Sequence, residues 1–333
     1  MTKPIYVPVE LHTHTMHSDG HFKPKELVES SKAFGYQAIV ITDHNTSAAF
    51  EDMIGQNEDE DFLIMRGMEW TTYFGHMLVL GADYDVDWRD ALPDTIDEYM
   101  EKVRDASGLI GIAHPFDMGS PICTGCHWDF NVRNYELVDY VEIWNSNAPQ
   151  QKVESELAYH MWLSLLRRGY QISCSTGRDW HGPDEPTANM GITFIQKNHE
   201  LSSSIFKEHL SEGRFYISLG PELIYTIRGK NRTYLIGDRV DTREDTLFLS
   251  FTILPTQLET LKSFNVSDVS IRVMNNEKVR FEQSFEGNLT KEVQSSCIIH
   301  DVESGYVRVE VTGKFDNVEQ ARILITNPIY FNK

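Results

Sequence analysis

The chain has 333 residues, which exceeds the usual size of a single domain, so we expect two domains. It carries 30 Lys and Arg against 50 Asp and Glu, a formal charge of −20. This balance argues against independent binding of long nucleic acids, because affinity for backbone phosphates comes largely from Lys and Arg, although a short nucleotide is not excluded. No segment approaches eighteen consecutive apolar residues, so we expect no ordinary membrane span.

The first apolar segment ends in His12 and His14, and Asp19 follows five residues later. Side chains at positions i and i+2 of a strand project from the same face, so both imidazoles would point to one place. Neutral imidazole suits zinc, iron and manganese, although an isolated H-x-H pair often occurs by chance. Because this segment begins within about ten residues of the N-terminus, a cleaved signal peptide would delete it, and we expect a cytoplasmic protein.

Later apolar runs also border residues that can bind metals. Asp43 and His44 follow the run at 36–42, Glu69 follows 62–68, His76 opens 75–81, His114 follows 108–113, and Arg178, Asp179 and His181 follow 171–176. Helical patterns at 24–34, 94–107 and 152–168 lie between the runs. Such alternation indicates buried parallel strands in β-α units, whose functional groups collect beyond the carboxyl ends of the strands. The sequence therefore predicts an α/β barrel or a barrel-like sheet.

The pattern changes after a predicted helix at 203–212. Alternating apolar residues at 247–253, 269–273 and 307–311 predict an antiparallel β-sandwich, with turns at 275–276 and 286–288. The spacing is that of an immunoglobulin-like sheet pair, although the Cys-Trp-Cys framework of true immunoglobulin domains is absent. We place a catalytic barrel at 1–218 and the sandwich at 219–333. The sandwich has no evident metal-binding motif, which favours a structural or oligomerising role, so a homo-oligomer is one expectation.

Cys123, Cys126 and His127 form a C-x-x-C-H run of the kind that attaches c-type haem. We do not expect haem, because its attachment usually accompanies export, and a zinc ribbon would need a second C-x-x-C. A disulfide or redox role is the lesser alternative in reducing cytosol. We interpret Cys123 and Cys126 as ordinary loop thiols and Cys174 as a core residue.

The ordered set of candidate ligands resembles the motifs of the polymerase and histidinol phosphatase (PHP) family of metal-dependent phosphoesterases, which is related to the amidohydrolases. The resemblance covers about two thirds of the chain. It implies a distorted seven-stranded (β/α) barrel that holds two or three divalent ions. By this resemblance His12, His14, Glu69 and Asp179 would hold one ion, Glu69 would bridge to a second held by His76 and His114, and Asp19, His44 and His181 would hold a third.

Mixed His, Asp and Glu donors with a bridging carboxylate suit zinc, manganese or iron, and two such ions can hold a hydroxide between them for attack on a substrate. We therefore expect a hydrolase, with a phosphate ester of a small metabolite or a nucleotide as the favoured substrate. The segments 212–224 and 325–331 also resemble the carbaryl-hydrolase branch of metallohydrolases, which leaves a carboxylic ester, carbamate or amide as the alternative. A metal-stabilised binding scaffold without catalysis is the second alternative.

Three further residues are candidates for substrate chemistry. Arg178 precedes the ligand Asp179, where its guanidinium could clamp a phosphate or instead orient Asp179 through a salt bridge. His17 is a candidate proton donor to the leaving group, because imidazole ordinarily titrates near neutral pH. Asn145 is a candidate for substrate contact, and both His17 and Asn145 could instead be polar loop residues.

Overall fold

The computed structural model describes residues 4–56, 59, 61–119, 125–183, 189–230, 232–240 and 245–331. The chain divides into two compact units. The barrel unit contains Pro8–Thr193 and Glu200–Ser211, and the β unit contains Met1–Val7, Phe194–His199 and Glu212–Lys333. Within the described ranges, no helix is long and apolar enough to cross a membrane.

The barrel unit is built on seven strands. They are β1 (Ile5–Glu10), β2 (Ala38–Ile41), β3 (Leu63–Thr72), β4 (Gly75–Leu80), β5 (Leu109–Ile112), β6 (Tyr140–Asn145) and β7 (Ser173–Gly177). The helices are α1 (Pro24–Phe34), α2 (Ala48–Met53), α3 (Ile96–Asp105), α4 (Val153–Arg167) and α5 (Ser203–Ser211). Each strand pairs with the next one in the chain. The ladders β1–β2, β2–β3, β5–β6 and β6–β7 are parallel, which confirms the predicted α/β architecture.

The two ends of this seven-strand path meet just beyond β1 and β7. Thr13 forms a parallel bridge with Trp180. The amide of His14 donates to the Trp180 carbonyl at 2.9 Å, and the amide of Trp180 donates to the His12 carbonyl at 3.1 Å. The metal-binding motifs at the two ends of the barrel sequence are therefore adjacent through backbone hydrogen bonds.

The direction of β4 corrects the expectation that all the buried runs are parallel strands. β4 pairs antiparallel with both β3 and β5. Only Tyr73 and Phe74 separate β3 from β4, a connection that permits a hairpin but is far too short for the crossover that parallel pairing requires. As a result His76, near the start of β4, pairs with Thr71 and lies at the sheet edge where the parallel strands end.

Helix α1 shows how local sequence fixes an element of the barrel. Pro24 occupies the first turn, where its missing N–H costs nothing, and the Glu26 carboxylate accepts the Lys23 amide at 3.0 Å. Gly35 ends the helix with a φ of 109°, a left-handed conformation that favours glycine. The helix buries the side chains of Leu27, Val28, Ser31 and Phe34.

The β unit contains the remaining strands. They are β8 (Ile192–Lys197), β9 (Phe215–Ser218), β10 (Glu222–Arg228), β11 (Thr233–Tyr234), β12 (Arg239–Val240), β13 (Thr246–Leu254), β14 (Val266–Asn275), β15 (Lys278–Asn288), β16 (Val293–His300), β17 (Gly305–Phe315), β18 (Val318–Thr326) and β19 (Ile329–Phe331). One sheet has the order β11-β10-β13-β16. In the other, β17 pairs antiparallel with β14, β18 and β19.

This arrangement confirms the predicted antiparallel character of the C-terminal domain. Alternate residues of β13, from Leu247 to Ile253, are buried, as the period of two predicts. The short β12–β19 ladder is a parallel exception. The turn predicted at 286–288 is wrong, because β15 continues to Asn288 with a register shift opposite β14. Gly287 has a φ of 89° at this irregularity, and its amide donates to Asp268 Oδ1 at 2.8 Å.

The structure describes two of the three cysteines interpreted above. Cys126 and Cys174 are buried, and Cys123 lies outside the described residues.

Candidate metal centre

His12, His14, Glu69 and Asp179 converge from three strand ends to form what we call the inner cluster. His14 Nε2 lies 2.9 Å from Asp179 Oδ1 and 3.3 Å from Glu69 Oε2. His12 Nε2 lies 3.2 Å from Glu69 Oε2 and 3.3 Å from Asp179 Oδ1. Both histidines and Glu69 are fully buried. Two ring nitrogens and two carboxylate oxygens therefore face one small volume.

His14, Asp19, His44 and His181 form a second group, the outer cluster. Asp19 Oδ1 lies 3.1 Å from His181 Nε2, 3.4 Å from His44 Nε2 and 3.8 Å from His14 Nδ1. The Asp19 side chain is 59% exposed and that of His181 is 33% exposed, so this cluster opens to solvent. His14 belongs to both clusters and presents a different ring nitrogen to each.

Glu69 joins the inner cluster to a third group at the β3–β4 hairpin. Its Oε1 lies 2.9 Å from His76 Nδ1 and 3.1 Å from His114 Nε2. Its Oε2 faces His12 and His14 and also lies 2.9 Å from His44 Nδ1. The two oxygens of one buried carboxylate thus contact different sets of histidines. This is the arrangement of a bridging ligand.

The donor atoms of this centre include many buried atoms that have no hydrogen-bond partner among the residues that the structure describes. They are His12 Nε2, both ring nitrogens of His14, Glu69 Oε2, His76 Nε2, His114 Nδ1 and Asp179 Oδ1. A buried polar atom without a partner costs about 1–3 kcal/mol, so a concentration of them requires an explanation. Imidazole nitrogens and carboxylate oxygens at this separation fit divalent zinc, manganese or iron. The residues present therefore fit the metal ions that the sequence resemblance implies.

Residues 10–142 match the family model of the PHP domain. By this match, residues 10–142 are a PHP domain. The matched segment contains every proposed ligand except Asp179 and His181, which the barrel closure beside His12 and His14 brings to the same site.

The chain is also similar to two uncharacterized proteins over part of its length. The chain is 26% identical to the uncharacterized protein MJ1295 of Methanocaldococcus jannaschii over 113 residues, which are 34% of this chain and 48% of the relative. The chain thus spans about half the length of that relative. It is also 26% identical to the uncharacterized protein MJ1587 of the same organism over 149 residues, 41% of this chain and 81% of the relative.

A crystal structure shows the same two-domain fold. It is a two-domain protein from Bacteroides vulgatus, described as containing a predicted PHP-like metal-dependent phosphoesterase. Its TM-score is 0.55 at 16% identity, and the alignment covers 98% of this chain and 96% of that protein. At this identity the likeness concerns the fold. The resemblance of 212–224 and 325–331 to carbaryl hydrolases stays a prediction.

Three carboxylates of the candidate metal centre, Glu69, Asp179 and Asp19, are held in their charged form. Burial alone would raise the pKa of Glu69, but His12, His114 and His14 lower it well below its ordinary value. Burial likewise opposes ionisation of Asp179, whose pKa is nevertheless lowered by His12 and His14. Hydrogen bonds with His181 and His44 lower the pKa of Asp19. Charged carboxylates are the form that metal coordination requires.

The pKa values of His44, His114 and His12 in the candidate metal centre are raised. Burial would lower the pKa of His44, but the neighbouring carboxylates of Asp19 and Glu69 raise it to about 10. Burial is likewise outweighed at His114, where Glu69 raises the pKa to about 9. The pKa of His12 is well above its ordinary value, because Glu69, Glu142 and Asp179 outweigh the effect of burial. A metal ion must therefore displace protons from these rings.

Some residues at the same strand ends have a strained backbone. Asp179 has a φ of 50° and His114 a φ of 22°, and both residues are proposed ligands. Asn45, next to His44, has a φ of 56°, and Ser146, just after β6, has a φ of 60°. Positive φ values in residues other than glycine cost energy and persist where the surrounding structure enforces them, often at functional sites.

The structure locates Arg178 and His17 by their contacts. The Arg178 guanidinium is 3.5 Å from the centre of the Trp180 ring and 4.9 Å from that of Phe34, and the residue is buried. His17 Nε2 lies 2.9 Å from Asp52 Oδ2 at a partly exposed position. Neither contact involves a proposed ligand, whereas the structure brings every side chain proposed as a metal ligand into the three groups above.

Sequence reasoning missed Glu10, whose carboxylate accepts hydrogen bonds from backbone amides at and beside the proposed ligands. Its Oε1 accepts the amides of Leu11, His12 and Arg178, each at 3.0 Å, and its Oε2 accepts the Tyr36 hydroxyl at 3.0 Å. One buried carboxylate thus ties the end of β1 to the end of β7. A charged residue inside the apolar run before His12 was the signal that could have identified it.

Sequence reasoning also missed Glu142, in the apolar run of β6. Its Oε2 lies 3.1 Å from His12 Nδ1, and its Oε1 accepts the Asn145 side-chain amide at 2.6 Å. Asn145, a candidate for substrate contact from the sequence, is buried and bound to this carboxylate.

Proposed function

We propose that this protein is a metal-dependent hydrolase that cleaves phosphate esters of a small metabolite or a nucleotide. The division of the Glu69 carboxylate between two sets of histidines carries the proposal, because a bridging carboxylate is typical of binuclear hydrolytic centres. The PHP domain match supports the same reaction class.

In the proposed centre, Glu69 would bridge ions that His12, His14 and Asp179 hold on one side and His76 and His114 on the other. Asp19, His44 and His181 would hold a further ion. Bound divalent ions would supply activated water and neutralise charge on a phosphoryl group. Residues of the chain itself would control substrate access, donate the proton to the leaving oxygen and position the ligands.

The two clusters differ in their exposure to solvent. The imidazoles of the inner cluster are fully buried, whereas Asp19 and His181 of the outer cluster are partly exposed. A substrate would therefore arrive on the outer side of the centre. Asp19, Glu69 and Asp179 are all held as carboxylates, so an anionic phosphate would be repelled until cations offset their charge.

His17 is the proposed proton donor to the leaving oxygen. It follows His14 by three residues, and its ring is partly exposed and paired with Asp52. An imidazole at this position can donate a proton to the leaving oxygen when it carries one. Arg178 is better suited to positioning, because its amide donates to Glu10 and its guanidinium stacks on Trp180.

A substrate panel with one leaving group tests this function. The metal-free protein is reconstituted with manganese, zinc or iron and assayed with p-nitrophenyl phosphate, p-nitrophenyl acetate and a p-nitrophenyl carbamate. We expect the highest kcat/KM for the phosphate, and we expect Asp179→Asn to abolish turnover while the protein stays folded. Preference for the acetate or the carbamate would overturn the phosphoesterase proposal in favour of ester or carbamate hydrolysis. Absence of turnover with every metal would favour a binding scaffold.

A further inference from the structure

Strand β6 contains an irregularity that brings two polar side chains together. Glu142 pairs with Ser175 and Trp144 pairs with Thr176, so β6 has one extra residue at this point. Residues 142 and 145 of a regular strand would face opposite sides of the sheet. The extra residue places both on one side, where the Asn145 amide nitrogen lies 2.6 Å from Glu142 Oε1. Bulges of this kind often re-aim side chains next to functional sites.

The other oxygen of Glu142 contacts His12. Oε2 lies 3.1 Å from His12 Nδ1, and Glu142 is only 1% exposed. The opposite ring nitrogen, Nε2, faces Glu69 and Asp179 in the inner cluster. Gly177 makes this approach possible, since a Cβ there would lie 2.4 Å from Glu142 Oε2 and 2.6 Å from His12 Cβ.

We infer that Glu142 and Asn145 form one positioning pair that orients the His12 ring for metal binding. Asn145 fixes the carboxylate of Glu142, and Glu142 fixes His12 through Nδ1 so that Nε2 is directed at the metal. Partners of this kind behind metal-binding histidines raise metal affinity by about 10–100-fold. The inference rests on the metal centre of the proposed function but not on the reaction, because it concerns metal affinity alone.

The hydrogen-bond inventory of the pair allows a specific test. A carboxylate has two acceptor oxygens, and Glu142 meets a donor at each of them, His12 Nδ1–H and the Asn145 amide. Glutamine offers only one acceptor, so Glu142→Gln must lose one of the two hydrogen bonds. Adding Asn145→Asp supplies an acceptor for the new amide. The double variant therefore restores both hydrogen bonds and keeps the total charge of the pair.

The readout is the affinity of the metal-free protein for zinc and manganese, measured by competition with a chromophoric chelator. We expect Glu142→Gln to weaken binding of the tightest ion by about 10–100-fold. We expect Asn145→Asp alone to weaken it as well, since two carboxylates would then face each other. If Glu142→Gln lowers metal affinity about 100-fold, the double variant should bind metal at least about tenfold more tightly than Glu142→Gln. Glu136→Gln, an exposed change in the same unit, is the matched control and should bind metal like the wild type.

Two results would overturn the inference. One is wild-type affinity in Glu142→Gln, and the other is a folded double variant that binds no better than Glu142→Gln. Circular dichroism of the metal-free variants monitors folding. If Glu142→Gln does not fold, Asn145→Ala removes only the Asn145 hydrogen bond and should still weaken binding severalfold, and unchanged affinity there would refute the pair. Because no substrate is used, failure of the hydrolase proposal would leave these results interpretable.

Discussion

His76 Nδ1 lies 2.9 Å from Glu69 Oε1 across the β3–β4 hairpin. The hairpin makes this contact possible, because β4 runs antiparallel to β3 and returns His76 to the edge where Glu69 is placed. His114 Nε2 lies 3.1 Å from the same oxygen. This oxygen of Glu69 therefore marks one side of the proposed bridged centre.

Replacing His76 with Ala tests that side of the centre. We expect the variant to retain about one metal ion fewer per chain than the wild type, because one imidazole donor at Glu69 Oε1 is lost. Elemental analysis after dialysis gives the stoichiometry. His127→Ala is the control, since His127 is exposed and paired with Asp129. Equal metal content in the His76 variant and the wild type would show that His76 is not a ligand.

Metal binding should release protons and strengthen as the pH rises. In the metal-free protein the pKa is about 10 for His44 and about 9 for His114, so both rings carry protons at neutral pH. Only neutral imidazole binds metal, so affinity should increase from pH 7 toward pH 9. Calorimetric titration in buffers of different ionisation enthalpy measures the proton release. Binding without proton release at pH 7 would contradict the charge state described above.

The same pKa values give the sign of a stability change. Both are raised above the unfolded value of imidazole, so the stabilisation from these ion pairs is complete below about pH 6.5. It is lost as the pH rises through 9 and 10. The Tm of the metal-free protein should therefore fall between pH 7 and pH 10, whereas the metal-loaded protein should lose less. A Tm of the metal-free protein that rises over this range would contradict the prediction.

Glu10 should matter for stability through its role as a common acceptor. Glu10→Ala leaves the buried amides of Leu11, His12 and Arg178 without their acceptor, and we expect a loss of about 3 kcal/mol or more in the free energy of unfolding. Glu10→Gln keeps one acceptor oxygen and should lose less than half as much. Urea unfolding of the metal-free proteins measures both values. An alanine variant as stable as the wild type would rule out this role.

His17 should affect only reactions that need a protonated leaving group. General acid catalysis contributes about 10²–10⁴-fold, so His17→Ala should lower kcat for an alkyl phosphate by at least about 100-fold. With p-nitrophenyl phosphate, whose leaving group needs no proton, the loss should be small. Asp52→Asn keeps the imidazole and tests whether loss of the His17–Asp52 contact alone explains the effect. Equal losses for both substrates in His17→Ala would exclude a proton-donating role.

The sequence predicted the fold class and the PHP resemblance because both depend on local signals. Apolar runs that end in His, Asp or Glu mark strand ends, and parallel strands gather those ends at one edge. The direction of β4 was not predicted, because its apolar run has no alternation that separates parallel from antiparallel pairing. The two-residue connection at Tyr73 and Phe74 was the available signal.

The supporting residues were harder to predict for a different reason. Glu142 and Asn145 are three positions apart, a spacing that puts them on opposite faces of a regular strand. Their contact depends on the extra residue in β6, and the pairing of β6 with β7 reveals it. The contact between Glu142 and His12 spans 130 residues and depends on Gly177, so no local pattern contains it.

The central claim is that a metal centre bridged by Glu69 hydrolyses phosphate esters. The most direct test is to titrate the metal-free protein with manganese or zinc. Hydrolysis of p-nitrophenyl phosphate and metal content are then measured in the same samples. The bridged centre predicts that turnover is absent without metal, rises with bound metal and stops rising when the sites around Glu69 are full. Glu69→Gln should retain less metal and show no turnover. Hydrolysis by metal-free protein at the rate of the loaded protein, or metal binding that never produces turnover, would contradict it.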